Sequence, residues 1–391
     1  MSVCDVPVYN MNDTGGGDHG NDTEEYEYDY VWDDYMDDYT ENTVAMVMVK
    51  GVWPVVILAG TVGNIMTFMV LIRRRMRRTP VYFYLAMLAC ADTSVLYLSG
   101  FKTWLRVMTG IEILHLSDSM CKICMFCFLQ SLHLSALFIV AITMDRFLTL
   151  WFPFNETSLC VIRKAKIMSL IFFVALLLYN VHVFWTIGLQ EIDGYKMCNP
   201  LRENTFMCNI FPWLKLSLYT LVPFFIVFAL NCATILKLFQ AHAQFKRNNE
   251  IRSHRIKAGQ YRVTIMLLGV SMSWLALTAP FTLYSFFSHR VIETARAQAR
   301  EFLFKTVCFT LLYINHAINF YIYCLSGKRF RQELKEFMTS FRRWSFKSKR
   351  SSTYGVRALS GREINRQILA GPQRIIIQTS DERRKKLTVE L

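Results

Sequence analysis

The sequence of 391 residues contains little charge for its length and no signature of catalysis. Lys, Arg, Asp and Glu make up only 19% of it, whereas soluble domains have about 25%. It has no glycine-rich phosphate loop, no nucleophile elbow and no His-Glu-x-x-His sequence. Cys121 and Cys124 form a Cys-x-x-Cys without the second pair that a structural zinc site needs. We therefore expect neither an enzyme, nor a metal centre, nor an ordinary soluble domain.

Positive charge is absent from the first 49 residues. This segment has thirteen Asp or Glu and no Lys or Arg, although the whole chain carries a net charge of +14. The basic residues of the remainder stand in short bursts between apolar runs. Such asymmetry is typical of a chain that lies in two compartments or carries an acidic tail, and no nucleic-acid partner is expected.

Seven apolar stretches are each long enough to cross a lipid bilayer, which takes roughly 20 residues. Because an unpaired backbone is costly in lipid, each stretch is predicted to be an α-helix. The predicted fold class is an all-α membrane protein, a seven-transmembrane helix bundle with a C-terminal amphipathic surface helix. The stretches are 45–72, 82–106, 121–150, 165–189, 210–239, 262–288 and 302–325.

The basic loops between these stretches set the orientation of the bundle. Residues 73–78 contain five arginines, and the loops after the third and fifth stretches are also basic, so these loops are predicted to be cytoplasmic. The N-terminus is then extracellular and the C-terminus cytoplasmic, as in a multi-pass protein of the plasma membrane. The predicted domains are a disordered acidic Tyr-rich outer tail (1–44), the bundle (45–325), the amphipathic helix (326–344) and a disordered basic tail (345–391).

Beyond the last stretch, apolar side chains recur at steps of four and three residues, and basic residues fill the other face. This spacing predicts a helix that lies along the inner membrane surface. The apolar positions are Phe330, Leu334, Phe337, Phe341 and Trp344.

Short motifs stand in a fixed order along the stretches. The second contains Leu-Ala-x-x-Asp ending at Asp92, the third ends in Asp145-Arg146-Phe, and the seventh contains Asn319-Phe-x-x-Tyr323. Together they resemble the rhodopsin-like (class A) G-protein-coupled receptors over about residues 45–341. Residues 313–325 are similar to invertebrate neuropeptide receptors of the FMRFamide-receptor-like group.

The resemblance implies an ion site in the middle of the bundle. A carboxylate at that depth costs about 2.5–3.5 kcal/mol on insertion scales, so Asp92 needs a partner or a water-filled pocket. The family geometry places Ser135, Asn315 and Asn319 around it, a set similar to the sodium pocket that stabilises inactive receptors. A hydrogen-bonded cluster without an ion is the alternative. A bound sodium ion is the only cofactor that the resemblance suggests.

The resemblance also assigns the coupling residues to the inner ends of the helices. Asp145 is expected to hold Arg146 at rest and to release it toward a heterotrimeric G protein on activation, with Tyr323 in the same relay. Ordinary anchoring by positive charge on the inner side is the alternative for Arg146. Gln260 stands where the family has an acid on the sixth helix, so the resting lock is expected to be loose and basal signalling measurable.

Three departures from the family pattern concern the activation relay. Thr278 stands where the sixth helix usually has tryptophan, and Trp274 lies one turn earlier. The fourth helix lacks its usual tryptophan, and Asn231 replaces the tyrosine on the inner half of the fifth.

Residues 188–199 are predicted to form a β-hairpin around the turn Asp193-Gly194. Cys198 then lies on the second strand, and the resemblance pairs it with Cys121 near the outer end of the third helix. Cys208 is the competitor for this disulfide, and Cys4 with Cys208 is a candidate second bridge.

The outer tail has candidate modification sites. Asn12 and Asn21 begin Asn-x-Thr glycosylation sequons. Five tyrosines among acids resemble sulfated receptor tails that attract basic peptides by charge, and a solvated tail without a partner is the alternative. They are Tyr26, Tyr28, Tyr30, Tyr35 and Tyr39.

Two residues that other receptors of this family use for their ligands are absent here, which narrows the class of ligand. A monoamine receptor of this family has an aspartate where this chain has Phe128, and an opsin has a lysine where it has Tyr313. The resemblance therefore favours an extracellular peptide, a neuropeptide. Two other functions stay open: a ligand-scavenging seven-helix receptor with weak G-protein coupling and, from a different class, a membrane transporter or channel.

The basic cytoplasmic tail contains hydroxyl side chains whose phosphorylation by a receptor kinase would suit the basic surface of arrestin. Solvated linker serines are the alternative. The residues are Ser345, Ser348, Ser351, Ser352 and Thr353.

Overall fold

Seven long apolar helices dominate the protein. The computed structural model describes residues 39–152, 162–192, 195–201, 210, 213–214, 217–247, 251–287, 294–340 and 342. Within them, seven helices have the length and apolar character to cross a membrane, as predicted. They are α1 (Thr40–Leu71), α2 (Pro80–Thr109), α3 (Asp118–Trp151), α4 (Ile162–Thr186), α5 (Val222–Arg247), α6 (Ile251–Phe287) and α7 (Ala295–Ser326). An eighth helix, α8, covers residues 328–340.

Some helices begin outside the apolar stretch that predicted them. α7 begins at Ala295 rather than at 302, because the hydroxyl of Thr294 accepts a hydrogen bond from the Ala297 N–H at 3.4 Å and caps the helix. α1 likewise begins at Thr40 rather than at 45. Hydropathy marks the part of a helix that lipid covers, whereas capping and backbone hydrogen bonds decide where the helix ends.

α3 contacts four neighbours, α2, α4, α5 and α6, and so forms the axis of the bundle. α1 packs on α2 and α7, and α6 packs on α7. The approach of α1 to α7 is close at Gly60, where a Cβ would lie 2.7 Å from the Cβ of Ala317. Small residues allow such approach between membrane helices, so Gly60 fixes α1 against the polar face of α7.

Wide π-helical turns interrupt two of the helices. They cover Met48–Val52 in α1 and Leu96–Phe101 in α2. Such turns reorient the side chains that follow them and are frequent at functional sites. In α2 the turn contains Ser99, whose hydroxyl lies 2.8 Å from the hydroxyl of Tyr313 on α7.

The predicted hairpin follows α4. Strand β1 (Ile187–Ile192) pairs antiparallel with β2 (Tyr195–Pro200), in a register that places Leu189 opposite Cys198. Cys198 forms a disulfide with Cys121, with a Cα–Cα distance of 5.6 Å, as the resemblance implied. The Leu189 N–H also donates to Oδ1 of Asp118 at 2.9 Å, which fastens β1 to the start of α3. The turn residues 193–194, Cys4 and Cys208 lie outside the described residues.

A buried amide network joins α3 to α4, which lacks the tryptophan usual in the family. Gln130 donates through Nε2 to the carbonyl oxygen of Phe173 at 3.0 Å. Its Oε1 accepts from Nδ2 of Asn180 at 2.9 Å. Because an isolated amide is costly to bury, these two bonds specify how α4 faces α3.

α8 begins directly after Gly327. The buried ring of Phe330 packs on the rings of Phe320, at 6.0 Å between centroids, and Tyr323, at 5.5 Å. Among the other predicted apolar positions, Leu334 and Phe337 are partly buried, and Phe341 and Trp344 lie outside the residues whose side chains are described.

Candidate functional site

A polar cluster surrounds Asp92 where α2, α3 and α7 meet. Ser135 of α3 donates its hydroxyl hydrogen to Oδ1 of Asp92 at 2.7 Å. Asn319 of α7 donates its amide to Oδ2 at 2.8 Å. All three side chains are buried, and Asp92 is only 1% exposed. One carboxylate therefore ties three helices together, and three of the four residues predicted for a sodium pocket are in direct contact.

His316, a residue that was not among the four predicted, also contacts the carboxylate. Nδ1 of His316 lies 2.8 Å from Oδ1 of Asp92, and both side chains are 1% exposed. A carboxylate only accepts hydrogen bonds, so Nδ1–H is the donor. Asn315, the fourth residue predicted for the pocket, is buried, and its place at an ion stays a prediction. Sequence analysis missed His316, although side chains three apart share a helix face and Asn319 follows at that spacing.

α1 joins the same cluster through the backbone of α7. Nδ2 of Asn64 donates to the carbonyl oxygen of His316 at 3.0 Å. A carbonyl can accept this bond in addition to its helical one because it has two lone pairs. Asn64 thereby fixes the position along α7 from which His316 reaches Asp92.

At the inner end of α3, Asp145 and Arg146 form an ion pair. Nε of Arg146 donates to Oδ2 of Asp145 at 3.1 Å, and Nη2 donates to the same oxygen. The side chains are 5% exposed for Asp145 and 14% for Arg146, so water screens their attraction only weakly. The structure thus places the guanidinium against its neighbouring carboxylate. The expectation for Gln260 concerns a side chain outside the described ones.

A small pocket beside Arg146 is lined by residues of α3, α5 and α6, among them Thr143, Thr234 and Thr264. Across it, Ser271 of α6 donates its hydroxyl hydrogen to Oδ1 of Asn231 on α5 at 2.8 Å. Both side chains are buried. Sequence analysis identified Asn231 as a departure from the family pattern but gave it no partner.

Tyr323 lies at the inner end of α7, buried against Phe330. Its hydroxyl is buried and has no hydrogen-bond partner among the described residues. A buried hydroxyl without a partner costs free energy, so this side chain is a candidate for a change of contacts or for a bound water.

The half of the bundle on the side of the hairpin is aromatic. The indole N–H of Trp53 donates to the hydroxyl of Thr310 at 2.8 Å, and the Trp53 ring meets that of Tyr313 edge to face at 4.9 Å. Tyr313, in the position of an opsin lysine, bonds to Ser99. These contacts join α1, α2 and α7 beneath the outer surface.

Charges of both signs surround the helix ends on the side of the hairpin, which are predicted to face outward. On the loop after α2, Oε1 of Glu112 lies 3.5 Å from Nζ of Lys102, and its Oε2 lies 3.4 Å from Nε of Arg106. Glu41 at the start of α1 lies 3.3 Å from Arg300 of α7. The hydroxyl of Tyr284 donates to Glu301 at 3.4 Å. The outer rim therefore offers both cationic and anionic partners.

Most predicted modification sites of the outer tail lie outside the described residues. Among the candidate sulfotyrosines only Tyr39 is described, and its carbonyl oxygen accepts the N–H groups of Asn42, at 3.0 Å, and Thr43, at 3.2 Å. Asn12, Asn21, Tyr26, Tyr28, Tyr30 and Tyr35 are not among the described residues.

Seven membrane-length helices around a buried aspartate, with an Asp-Arg pair at one end of α3 and a disulfide-bonded hairpin at the other, define a membrane receptor. The chain belongs to the 7 transmembrane receptor (rhodopsin family), whose model matches residues 63–323. This membership confirms the class predicted from the motifs, and members of the family are receptors rather than enzymes. It also disfavours the transporter or channel.

Several characterised receptors are similar to the chain at low identity. The B2 bradykinin receptor of Homo sapiens is 24% identical over 289 residues, 72% of this chain and 71% of the relative. The growth hormone secretagogue receptor type 1 of Sus scrofa is 21% identical over 288 residues, 70% of this chain and 76% of the relative. The FMRFamide receptor of Drosophila melanogaster is 21% identical over 300 residues, 70% of this chain and 50% of the relative.

Proposed function

We propose that this protein is a plasma-membrane receptor that binds an extracellular peptide and activates a heterotrimeric G protein. The observation that carries the proposal is the shielded Asp145–Arg146 pair beside a small pocket between α3, α5 and α6. Cys121, at the other end of α3, ties that helix to the hairpin at the outer surface. α3 thus connects a ligand-facing end with a G-protein-facing end.

Activation in this proposal is an exchange of partners at the inner end. When Arg146 leaves Asp145, a guanidinium with several N–H donors becomes available to carbonyl groups of a G protein. The pocket beside it must widen, so the contact between Asn231 and Ser271 must break. A bound ligand drives this change only to the extent that it binds the open conformation more tightly than the closed one.

A peptide ligand agrees with the chemistry of the outer half. Bradykinin and FMRFamide, after which two of the relatives are named, are peptides. Phe128 packs on the buried cluster of Cys121 and Leu129. It stands where a monoamine receptor has an aspartate, and its ring has no carboxylate to pair with an amine. The charged rim and the aromatic layer below it suit the charged termini and apolar side chains of a short peptide.

The test is a screen of amidated peptides on cells that express the full chain, read by calcium and cyclic AMP. The control is Arg146→Ala at equal surface density, which should bind the same peptide without signalling. Internalisation of a bound peptide by the original receptor without any G-protein response would instead establish the scavenging function. Equal signalling from both receptors would refute the role of Arg146.

For the outer tail, we propose an extracellular location with glycans on Asn12 and Asn21 and sulfate on the tyrosines 26, 28, 30, 35 and 39. Sulfated tyrosines among acids would concentrate a basic peptide near the rim by charge. Deleting residues 22–38 leaves Tyr39 to accept the first N–H groups of α1. This deletion should weaken binding of basic peptides and reduce its salt dependence, whereas unchanged binding would exclude the role. Mass spectrometry of the tail reads both modifications.

At the other end, we propose that a receptor kinase phosphorylates the serines of residues 345–353 and that arrestin then binds. Replacing these serines and Thr353 by alanine should abolish agonist-dependent arrestin recruitment and leave G-protein activation intact. Recruitment that persists would place the phosphorylation sites elsewhere.

A further inference from the structure

The polar cluster at Asp92 differs from a sodium pocket in the group that α7 presents to the carboxylate. Sodium is a hard cation, and such ions are held by oxygen atoms of carboxylates, carbonyls, hydroxyls and water. α7 instead presents a ring nitrogen, Nδ1 of His316, 2.8 Å from Oδ1 of Asp92.

Hydrogen bonds from protein groups occupy most of the acceptor positions of the Asp92 carboxylate. Oδ1 accepts from Ser135 and from His316, and Oδ2 accepts from Asn319. An ionised carboxylate has about four acceptor positions, and three are taken by donors from two helices. Each of these donors directs a hydrogen at an oxygen of Asp92. The imidazole of His316, which already donates to Oδ1, offers a cation no oxygen, so the position that it occupies does not fit sodium.

We propose that the imidazole of His316 takes the place that a sodium ion holds in the pocket of the resembling receptors. The carboxylate then has a tethered partner, part of the chain, instead of an ion from solution. Nδ1–H donates whether the ring is neutral or charged, so the pairing does not depend on the protonation of the second nitrogen. Nε2 is buried and has no hydrogen-bond partner among the described residues.

The backbone of α7 is held in the position that this pairing requires. Asn64 of α1 binds the carbonyl oxygen of His316, so the same residue is fixed from α1 and bound to α2. Gly60, one turn earlier on α1, allows the close contact with Ala317 next to it. The resting bundle is therefore stabilised by a pair of side chains, and its stability should not respond to sodium.

The test is the thermal unfolding of the purified full-length receptor, without ligand, in sodium chloride and in potassium chloride at equal concentration. The original receptor should have the same Tm in both salts. His316→Ser removes the ring and supplies a hydroxyl oxygen, and it should gain a sodium-specific rise in Tm of about 2–5 °C. Adding Asp92→Asn to His316→Ser should abolish that rise. The control His133→Ser removes another buried histidine, on α3, that packs on Tyr179.

Two outcomes overturn the proposal. One is a sodium-specific rise in the original receptor that Asp92→Asn removes, which would mean that the ion binds beside the imidazole; this measurement stands even if His316→Ser does not fold. The other is a folded His316→Ser protein, with the Tm of the control variant, that shows no response to sodium. The result does not depend on which peptide binds, so it is separate from the test of the proposed function.

Discussion

The hydroxyl of Ser271 on α6 donates to the amide oxygen of Asn231 on α5 over 2.8 Å, and both side chains are buried beside Arg146. Nδ2 of Asn231 also lies 3.6 Å from the sulfur of Met272. α5 and α6 are thus joined by a polar contact at the inner half of the bundle, where the family usually has a tyrosine. The contact is present only while the two helices are close, so it stabilises the closed pocket.

Ser271→Ala is expected to raise basal signalling. A neutral hydrogen bond contributes about 0.5–1.5 kcal/mol, which corresponds to a roughly twofold to tenfold shift toward the open conformation. Basal cyclic AMP or calcium at matched surface expression measures it. Ser273→Ala is the control, because that hydroxyl bonds to Val270 in its own helix. Equal basal activity in the two variants would show that the contact does not hold the pocket closed.

Asp145→Asn and Arg146→Ala should change signalling in opposite directions. The asparagine keeps the shape of the side chain but loses the charge-assisted bonds, each worth about 1.5–3 kcal/mol, so basal activity should rise about tenfold or more. Arg146→Ala should abolish G-protein activation while leaving ligand binding intact. Arg163→Ala, an exposed cation at the inner end of α4, is the control for simple membrane anchoring. If all three variants lose surface expression equally, anchoring is the role of Arg146.

Cys121→Ser and Cys198→Ser should each destabilise the receptor by the same amount, and the double variant should be no worse. The disulfide closes a loop with a sequence separation of 77 residues, and losing such a bridge costs about 2–5 kcal/mol. Thermal unfolding and surface expression measure the loss. The exposed free thiol of Cys232 provides the control, Cys232→Ser. A stable Cys198→Ser together with an unstable Cys208→Ser would show that Cys208 is the partner of Cys121.

Asn180→Ala should lower the stability of the bundle by about 1–3 kcal/mol, because Oε1 of the buried Gln130 loses its donor. A combined Gln130→Leu and Asn180→Leu variant should recover most of that loss, since both polar partners are then replaced by apolar side chains. Ser169→Ala removes a bond within α4 alone and is the control. Losses that simply add in the double variant would argue against the network.

Hydropathy was sufficient to predict the seven helices, and the motifs were sufficient to predict their family. Spacing along the chain also predicted the hairpin and placed Cys198 on its second strand. The choice of Cys198 over Cys208 depended on resemblance, because two cysteines ten positions apart both follow α4 and only the folded hairpin brings one of them over the start of α3. The partners of Asn231 and Gln130 could not be predicted from the sequence either, because each partner lies on another helix.

The sequence by itself determined the number of membrane crossings, the need of Asp92 for a partner and the presence of an Asp-Arg pair on the third helix. These follow from the thickness of the bilayer and from the cost of burying charge, which apply to any arrangement of the helices. Only the tertiary structure decided that His316 donates to Asp92. Neighbouring residues on a helix point about 100° apart, so the rotation of α7 against α1 and α2, fixed by packing at Gly60 and by Asn64, selects which of its residues faces the carboxylate.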